Sequence, residues 1–195
     1  KAGPAPAEET PMKWVTRDFV HLDRVATPWL IKRFVDREAE FVFVPWGEEE
    51  RRPADAIALA LPGAELGPHD EKGTTFRKVM TKYDLRDPAL EDIAKVIQCG
   101  VDYVLHDFRP SSGDVHGQVA VGLLNIAEGF LMIHRTDSGI LEASFPIYDA
   151  LHANFTVHHL VAAKGVTLPP HAGKGPTAPT IFLRKIFDAK GEAKG

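Results

Sequence analysis

A segment bounded by glycine and proline carries Glu65 and His69 in a Glu-x3-His arrangement. Carboxylate and imidazole groups are both good ligands for a first-row divalent metal. Two ligands do not make a site, but a helix predicted over 141–159 repeats such groups on neighbouring faces. The expected ligand set for Mn, Fe or Zn is Glu65, His69, Glu142, Asp149 and His152. The alternative is a buried His152 that hydrogen-bonds a neighbour, with two carboxylates at the rim of the core.

A second group of residues suits the binding of a small oxyanion. Arg24 lies just before a helix predicted to begin at Pro28, where free backbone N–H groups and the helix dipole favour an anion. Guanidinium groups match the geometry of tetrahedral oxyanions. The candidate ligand-binding residues are Arg17, Arg24, Arg33 and Tyr148. If the site is catalytic, the candidate groups are Asp23, Arg24 and Glu65. The alternative for Asp23 and Arg24 is an ion pair with no ligand.

Hydrophobic periodicity predicts the elements that position these groups. Alternating and apolar runs predict strands at 12–22 and 41–44. Helical spacing predicts helices at 28–36, 74–82, 89–98, 115–133 and 140–163. Asp87-Pro88 reads as the start signal of the third helix and Gly100 as its stop signal, and Pro146 predicts a kink or restart in the last helix. The expected fold class is α+β, a predominantly helical single domain with a small β-sheet.

The chain divides into three parts by composition. Residues 1–11 are a Pro/Ala-rich segment expected to be flexible, residues 12–163 form the domain, and residues 164–195 are a Pro/Gly-rich arm with a short amphipathic segment at 181–187. We expect that segment to dock on the domain, and the alternative is a handle for a partner. The beginning at Lys1 resembles a chain after signal-peptide removal, which favours the periplasm; a truncated cytoplasmic chain would begin the same way.

Composition excludes several classes of protein. The 195 residues are 44% hydrophobic and 26% charged, which suffices for one core without disulfides, and the single Cys99 is expected to be a core residue. A net charge of −4 makes nucleic acid an unlikely partner. We find no apolar run of the roughly 20 residues that a membrane span needs. Signatures of P-loop, dinucleotide, zinc-helix and serine-hydrolase sites are also absent from the sequence.

Four stretches carry a more specific signal. They are Lys13-Trp-Val-Thr-Arg17, Leu22-Asp-Arg-Val-Ala-Thr-Pro-Trp-Leu-Ile-Lys-Arg-Phe34, Gly63-Ala-Glu-Leu-Gly67 with His69, and Asp137-Ser-Gly-Ile-Leu-Glu142 with Tyr148-Asp-Ala-Leu151. The second is the most specific, because an Asp-Arg pair before a Pro-Trp-Leu-Ile helix start is an unusual combination. In this order the four stretches resemble the chromate-resistance (ChrB-type) protein family over about residues 13–155.

The resemblance implies a stand-alone domain in a chromate context. Cysteine commonly stands in that family where this chain has Thr27, and again near Thr74, so a thiol-based reduction of chromate is put in doubt. Pro68 also interrupts the pattern before His69. Two functions stay open: a metal- or oxyanion-centred enzyme of detoxification or redox chemistry, and a non-catalytic domain that senses or binds chromate or a related oxyanion. Metal ligands that converge favour the first, and an arginine pocket without them favours the second.

Overall fold

The computed structural model describes residues 11–169 and 178–192. Within them lie three strands and six α-helices. The strands are β1 (Lys13–Arg17), β2 (Glu40–Val44) and β3 (Ile57–Ala58). The helices are α1 (Asp23–Leu30), α2 (Thr75–Lys82), α3 (Pro88–Leu105), α4 (Val115–Ile133), α5 (Asp137–Ala163) and α6 (Ala178–Glu192). This confirms the expected helical α+β fold. The expectation of a flexible segment at 1–11 falls almost wholly outside the described residues.

The strands form a parallel sheet in the order β2-β1-β3. β2 and β3 each run parallel to β1, with Trp14 opposite both Phe41 and Ile57. β1 is therefore the central strand, and Trp14 and Val15 are fully buried in it. Because the strands are parallel, their carboxyl ends meet at one edge of the sheet.

The first helix begins earlier than the sequence indicates. α1 begins at Asp23 instead of Pro28, which lies inside the helix, and a wide π-type turn continues it over Ile31–Val35. Thr27 does not cap backbone N–H groups; its hydroxyl donates to Asp23 Oδ1 at 2.9 Å. Leu22 precedes the helix with a φ of 45°, so the chain turns sharply out of β1.

The third helix is longer than predicted. Gly100 lies inside this helix, where it packs against a residue that is remote in sequence. Asp87 caps α3 by accepting from the N–H of Ala89, as expected from the Asp-Pro start, but the helix passes through Gly100 and ends at Leu105. A Cβ at position 100 would lie 2.8 Å from Leu22 Cδ2. The glycine therefore serves close packing against the β1–α1 loop and does not end the helix.

Helices α3, α4 and α5 pack together, and α1 and α6 contact α5. α5 continues through Pro146, whose missing N–H removes the helical hydrogen bond to the carbonyl of Glu142, an exposed residue. Residues 181–187 lie within α6, so the predicted amphipathic segment is part of a longer helix packed on the domain.

One core cluster joins the sheet to the helices. Its largest fully buried side chains include Trp14, Trp29, Phe76, Leu90, Ile93 and Ile97. Cys99 is half-buried and packs against this cluster. Among the described helices, α4 alone has the length and mean hydropathy of a membrane span. One such helix is weak evidence, and no clear membrane span is identified.

Candidate functional site

A cleft of about 240 Å³ opens at the carboxyl edge of the sheet. Arg17 ends β1, Trp46 follows β2, Ala60 follows β3, and the β1–α1 loop closes one side. The last turn of α3 forms the opposite wall. Open parallel sheets bind ligands outside the carboxyl ends of their strands, where the connections diverge. β1 is such a point, because β2 and β3 lie on opposite sides of it.

Arg17 presents hydrogen-bond donors to this cleft. Its Nε donates to Glu49 Oε1 at 2.5 Å, and its guanidinium carbon lies 4.1 Å from the centre of the Trp46 ring. No hydrogen bond between the two terminal nitrogens and another described residue is present. The pair with Glu49 therefore orients the guanidinium and leaves its outer edge available to an anion.

Two imidazoles lie at the same cleft. His21 is exposed, with Nδ1 3.1 Å from the carbonyl oxygen of Phe19 and 3.3 Å from Nη2 of Arg24. A doubly protonated ring, or a neutral ring that accepts from Arg24, presents an N–H donor at Nε2. His69 is also exposed and lines the cleft beside Pro68. The two rings add donors around Arg17.

Apolar side chains form much of the remaining wall. Trp46, Val104 and Leu105 are 56%, 57% and 53% exposed, although all three are large and apolar. Trp46 is fixed in place, because its Nε1 donates to the carbonyl of Asp18 at 3.2 Å. A cluster of exposed apolar groups beside convergent polar groups is typical of a ligand site.

Arg24 and Asp23 border the cleft but have other partners. The guanidinium of Arg24 donates to the carbonyls of Arg17, Asp18 and Phe19 at 2.8–3.1 Å. Burial and the neighbouring charge of Arg17 lower the pKa of Arg24, against the attraction of nearby carboxylates. Arg24 thus holds the loop after β1. The expected position before a Pro28 helix is wrong, because α1 begins at Asp23 and Arg24 lies in its first turn.

The carboxylate of Asp23 caps a different helix. Its Oδ2 accepts from the N–H of Thr75 at 2.8 Å, and its Oδ1 accepts from the N–H of Phe76 at 2.9 Å. Both donors belong to the first turn of α2, where free N–H groups favour a negative charge. Asp23 therefore connects α1 to α2 instead of pairing with Arg24.

The backbone around the cleft is strained. Phe19, Leu22 and Ala60 have φ values of 53°, 45° and 54°, which residues other than glycine rarely adopt. Leu22 and Ala60 line the cleft, and Phe19 supplies a carbonyl to Arg24. Strained residues of this kind cluster at binding and catalytic sites when surrounding contacts hold them.

The five predicted metal ligands do not converge. Glu65 pairs with Lys82 at 2.5 Å, Glu142 is exposed, and His69 lies in the cleft. Among the residues that the structure describes, no three His, Cys, Asp or Glu side chains are grouped so as to hold a metal ion. The remaining two residues, Asp149 and His152, contact partners on other helices, so the expected convergence fails.

Asp149 and His152 form interhelical contacts on α5. Asp149 accepts two hydrogen bonds from Arg33, both at 2.9 Å, and one from Trp29 Nε1 at 2.8 Å. The hydrogen bond and charge of Arg33 lower the pKa of Asp149. His152 Nε2 lies 3.1 Å from Asp87 Oδ2, the cap of α3. Arg33 is thus engaged away from Arg17 and Arg24.

Tyr148, a predicted ligand residue, belongs to the core. Its ring is buried and tilted against Trp29 at 5.7 Å, and its hydroxyl lies 3.5 Å from the carbonyl oxygen of Leu22. Burial strongly raises the pKa of this hydroxyl. Tyr148 therefore supports the loop behind the cleft from within the protein.

Two features of the structure, one at the cleft and one at the interface of α3, α4 and α5, were not predicted from the sequence. Trp46 follows a buried strand, which could have marked it as a residue at the sheet edge. Asp92 lies on the apolar face of α3, where its Oδ1 contacts His116 Nε2 at 2.9 Å and its Oδ2 contacts His159 Nε2 at 2.6 Å. A carboxylate at a core position of an amphipathic helix was the available signal, because buried charges need partners.

Comparisons with known proteins identify the family. The family described as ChrB, C-terminal domain, matches residues 14–155. Protein ChrB of Cupriavidus metallidurans is 32% identical over 94 residues, which cover 47% of this chain and 28% of the length of that relative. No solved structure matches the chain. The match to the family extends over more than half of the chain and confirms the resemblance found in the sequence, so the protein belongs to the ChrB C-terminal domain family.

Proposed function

We propose that the domain binds an oxyanion, without turning it over, in the cleft at the carboxyl edge of the sheet. The observation that carries the proposal is the guanidinium of Arg17, which is oriented by Glu49 and Trp46 and lines the same cleft as His21 and His69. Preoriented guanidinium and imidazole donors are the groups that bind oxyanions in proteins. Membership of the ChrB C-terminal domain family makes chromate the first anion to test.

Two observations favour binding over the metal-centred enzyme. The predicted metal ligands are dispersed among a lysine pair, a helix cap and an arginine pair. The carboxylates nearest the cleft are also engaged: Asp23 caps α2, and Glu49 pairs with Arg17. These two carboxylates are therefore disfavoured as a general base beside Arg17.

Isothermal titration of the protein with chromate and with sulfate tests the proposal. We expect Arg17→Ala to weaken binding of both anions by about tenfold, because it removes charge-assisted hydrogen bonds. The matched control is Arg33→Ala, which removes an arginine whose partner is Asp149 and leaves the cleft intact. The proposal fails if neither anion binds, or if the two variants lose affinity equally.

Glu49→Gln separates anchoring from binding. This change removes the negative charge beside Arg17 but keeps an acceptor oxygen and the guanidinium. Anion affinity should stay within about threefold of the original value, because the donors that contact the anion are retained. A loss as large as that of Arg17→Ala would show that the charge of Glu49 is required to hold the guanidinium in its binding orientation.

The absence of turnover is tested on the same samples. Chromate incubated with the protein should be recovered unchanged in amount and oxidation state. Metal analysis of protein purified without an affinity tag should give less than one equivalent of Mn, Fe or Zn. A stoichiometric metal, or loss of chromate that depends on the protein, would favour the enzyme instead.

A further inference from the structure

We propose that the preferred ligand of the cleft is a singly charged organic anion with an apolar, flat body, and that inorganic oxyanions bind the same donors more weakly. The inference rests on the proposed function in taking Arg17 as the anion donor. It narrows the ligand class from three properties of the cleft: its charge balance, its size and its apolar wall.

The positive charges at the cleft are largely compensated. Arg17 pairs with Glu49, and Arg24 lies in the field of Asp18, Asp23 and Asp137. A dianion would meet these carboxylates without a matching excess of positive charge. Electrostatic complementarity therefore favours a ligand with one negative charge directed at the outer edge of Arg17.

The cleft is larger than an inorganic oxyanion requires. Its volume of about 240 Å³ corresponds to roughly eight water molecules at about 30 Å³ each. A tetrahedral oxyanion has five non-hydrogen atoms and would leave much of this space to water. A ligand with a carboxylate or sulfonate head and one or two rings would fill it.

The wall opposite the donors is suited to such a body. Val101, Val104 and Leu105 follow one another along the last turn of α3, and Trp46 presents an indole that is more than half exposed. An inorganic oxyanion gains nothing from this surface. An apolar body would remove it from water, which is favourable in proportion to the area covered. Trp46, held by Arg17 and by the carbonyl of Asp18, offers a rigid flat surface for a ring.

A set of probes that differ in one property each tests the inference by isothermal titration. 1-Naphthoate carries one charge and two rings, acetate has the same head without the rings, 1-naphthalenemethanol has the rings without the charge, and sulfate is the inorganic dianion. We expect 1-naphthoate to bind at least about tenfold more tightly than each of the others, because only it meets both the donors and the wall.

Two exposed substitutions locate the apolar contact. Val104→Ser should weaken 1-naphthoate binding about threefold to tenfold and leave sulfate affinity unchanged. The matched control is Met132→Ser on α4, which changes an apolar side chain outside the cleft that is 73% exposed, against 57% for Val104. Both positions are on the surface, so neither change should unfold the protein. Equal effects of the two substitutions would overturn the assignment of the wall.

The outcomes separate this inference from the proposed function. If sulfate and chromate bind through Arg17 and 1-naphthoate binds no more tightly, the inference fails and the proposed function stands. If 1-naphthoate binds through Arg17 and the inorganic anions do not, the inference stands and the inorganic ligand is rejected. If no anion binds in a manner that depends on Arg17, both fail.

Discussion

The cleft at the sheet edge and the interface among α3, α4 and α5 contain similar kinds of residue. Their polar groups are paired at the interface and partly unpaired at the cleft. At the helical interface, Asp92 contacts His116 and His159, and Asp87 contacts His152. At the cleft, Arg17 keeps unpaired donors, and large apolar side chains remain exposed. Chemistry-bearing residue types therefore do not mark a site by themselves; unused bonding capacity beside exposed apolar surface does.

The two arginines of the cleft give the sharpest test of this comparison. Arg24→Ala should lower the free energy of unfolding by about 3 kcal/mol, because three backbone carbonyls lose a charged donor. Arg17→Ala should cost less, about 2 kcal/mol, since it loses one partly buried, charge-assisted hydrogen bond to Glu49. Chemical denaturation measures both values.

Anion titration of the folded fraction completes that test. Arg24→Ala should retain the affinity for chromate and sulfate to within a few-fold, whereas Arg17→Ala should lose it. If the stable variant were Arg24→Ala and it alone failed to bind, the roles of the two arginines would be reversed.

The helical interface should respond to Asp92→Asn with a loss of about 2 kcal/mol in the free energy of unfolding. The substitution leaves two imidazoles facing an amide that cannot accept from both. Asp102→Asn is the matched control, because Asp102 pairs with His106 on the same helix at an exposed position. The control should cost less than about 0.5 kcal/mol. Equal losses would mean that burial of the Asp92 cluster is unimportant.

The stability difference between the original protein and Asp92→Asn should also depend on pH. Burial tends to raise the pKa of Asp92, but hydrogen bonds from His116, His159 and Lys95 hold it below the ordinary value of 3.8. A carboxyl whose pKa is lower in the folded state stabilises the protein above its unfolded pKa, and this contribution is lost as the pH falls through the folded value. The stability difference between the original protein and Asp92→Asn should therefore persist at neutral pH and shrink below about pH 4. Acid titration monitored by circular dichroism measures it, and a difference that grows toward low pH would contradict the assignment.

The smallest effect is expected at the pair of Arg33 with Asp149. Both side chains are more than 40% exposed, so solvent screening limits the pair despite its two hydrogen bonds. Arg33→Lys should lower the free energy of unfolding by about 0.5 kcal/mol, because lysine cannot bind both carboxylate oxygens in the same plane. Thermal unfolding with Lys32→Arg as the control would detect the change. A cost above about 2 kcal/mol would show that this pair is as important as the Asp92 cluster.

The sequence predicted elements whose signals are local. Asp87 and Pro88 marked the start of α3, and the apolar period marked the extent of α4. Gly100 misled the prediction because its role depends on Leu22, a residue 78 positions earlier in the chain. Composition alone cannot reveal such a contact, since it depends on how α3 crosses the loop after β1.

The site was predicted only in part, because its arrangement also depends on contacts between residues that are remote in sequence. Arg17 and His69 were named as candidates, but their common location depends on the order of the parallel strands, which joins residues that are far apart in sequence. The predicted face of α5 held Asp149 and His152 as expected from helical spacing. Their partners, Arg33 and Asp87, come from other helices and could not be paired from periodicity.

The packing of Leu22 on Gly100 links the two walls of the cleft mechanically. Leu22 belongs to the loop that carries the donors, and Gly100 lies one turn before Val104 on the apolar wall. A ligand that touches both walls would restrain the end of α3 against the sheet and slow amide exchange in its last turn. Occupancy would then reduce local motion along α3 without a change of fold.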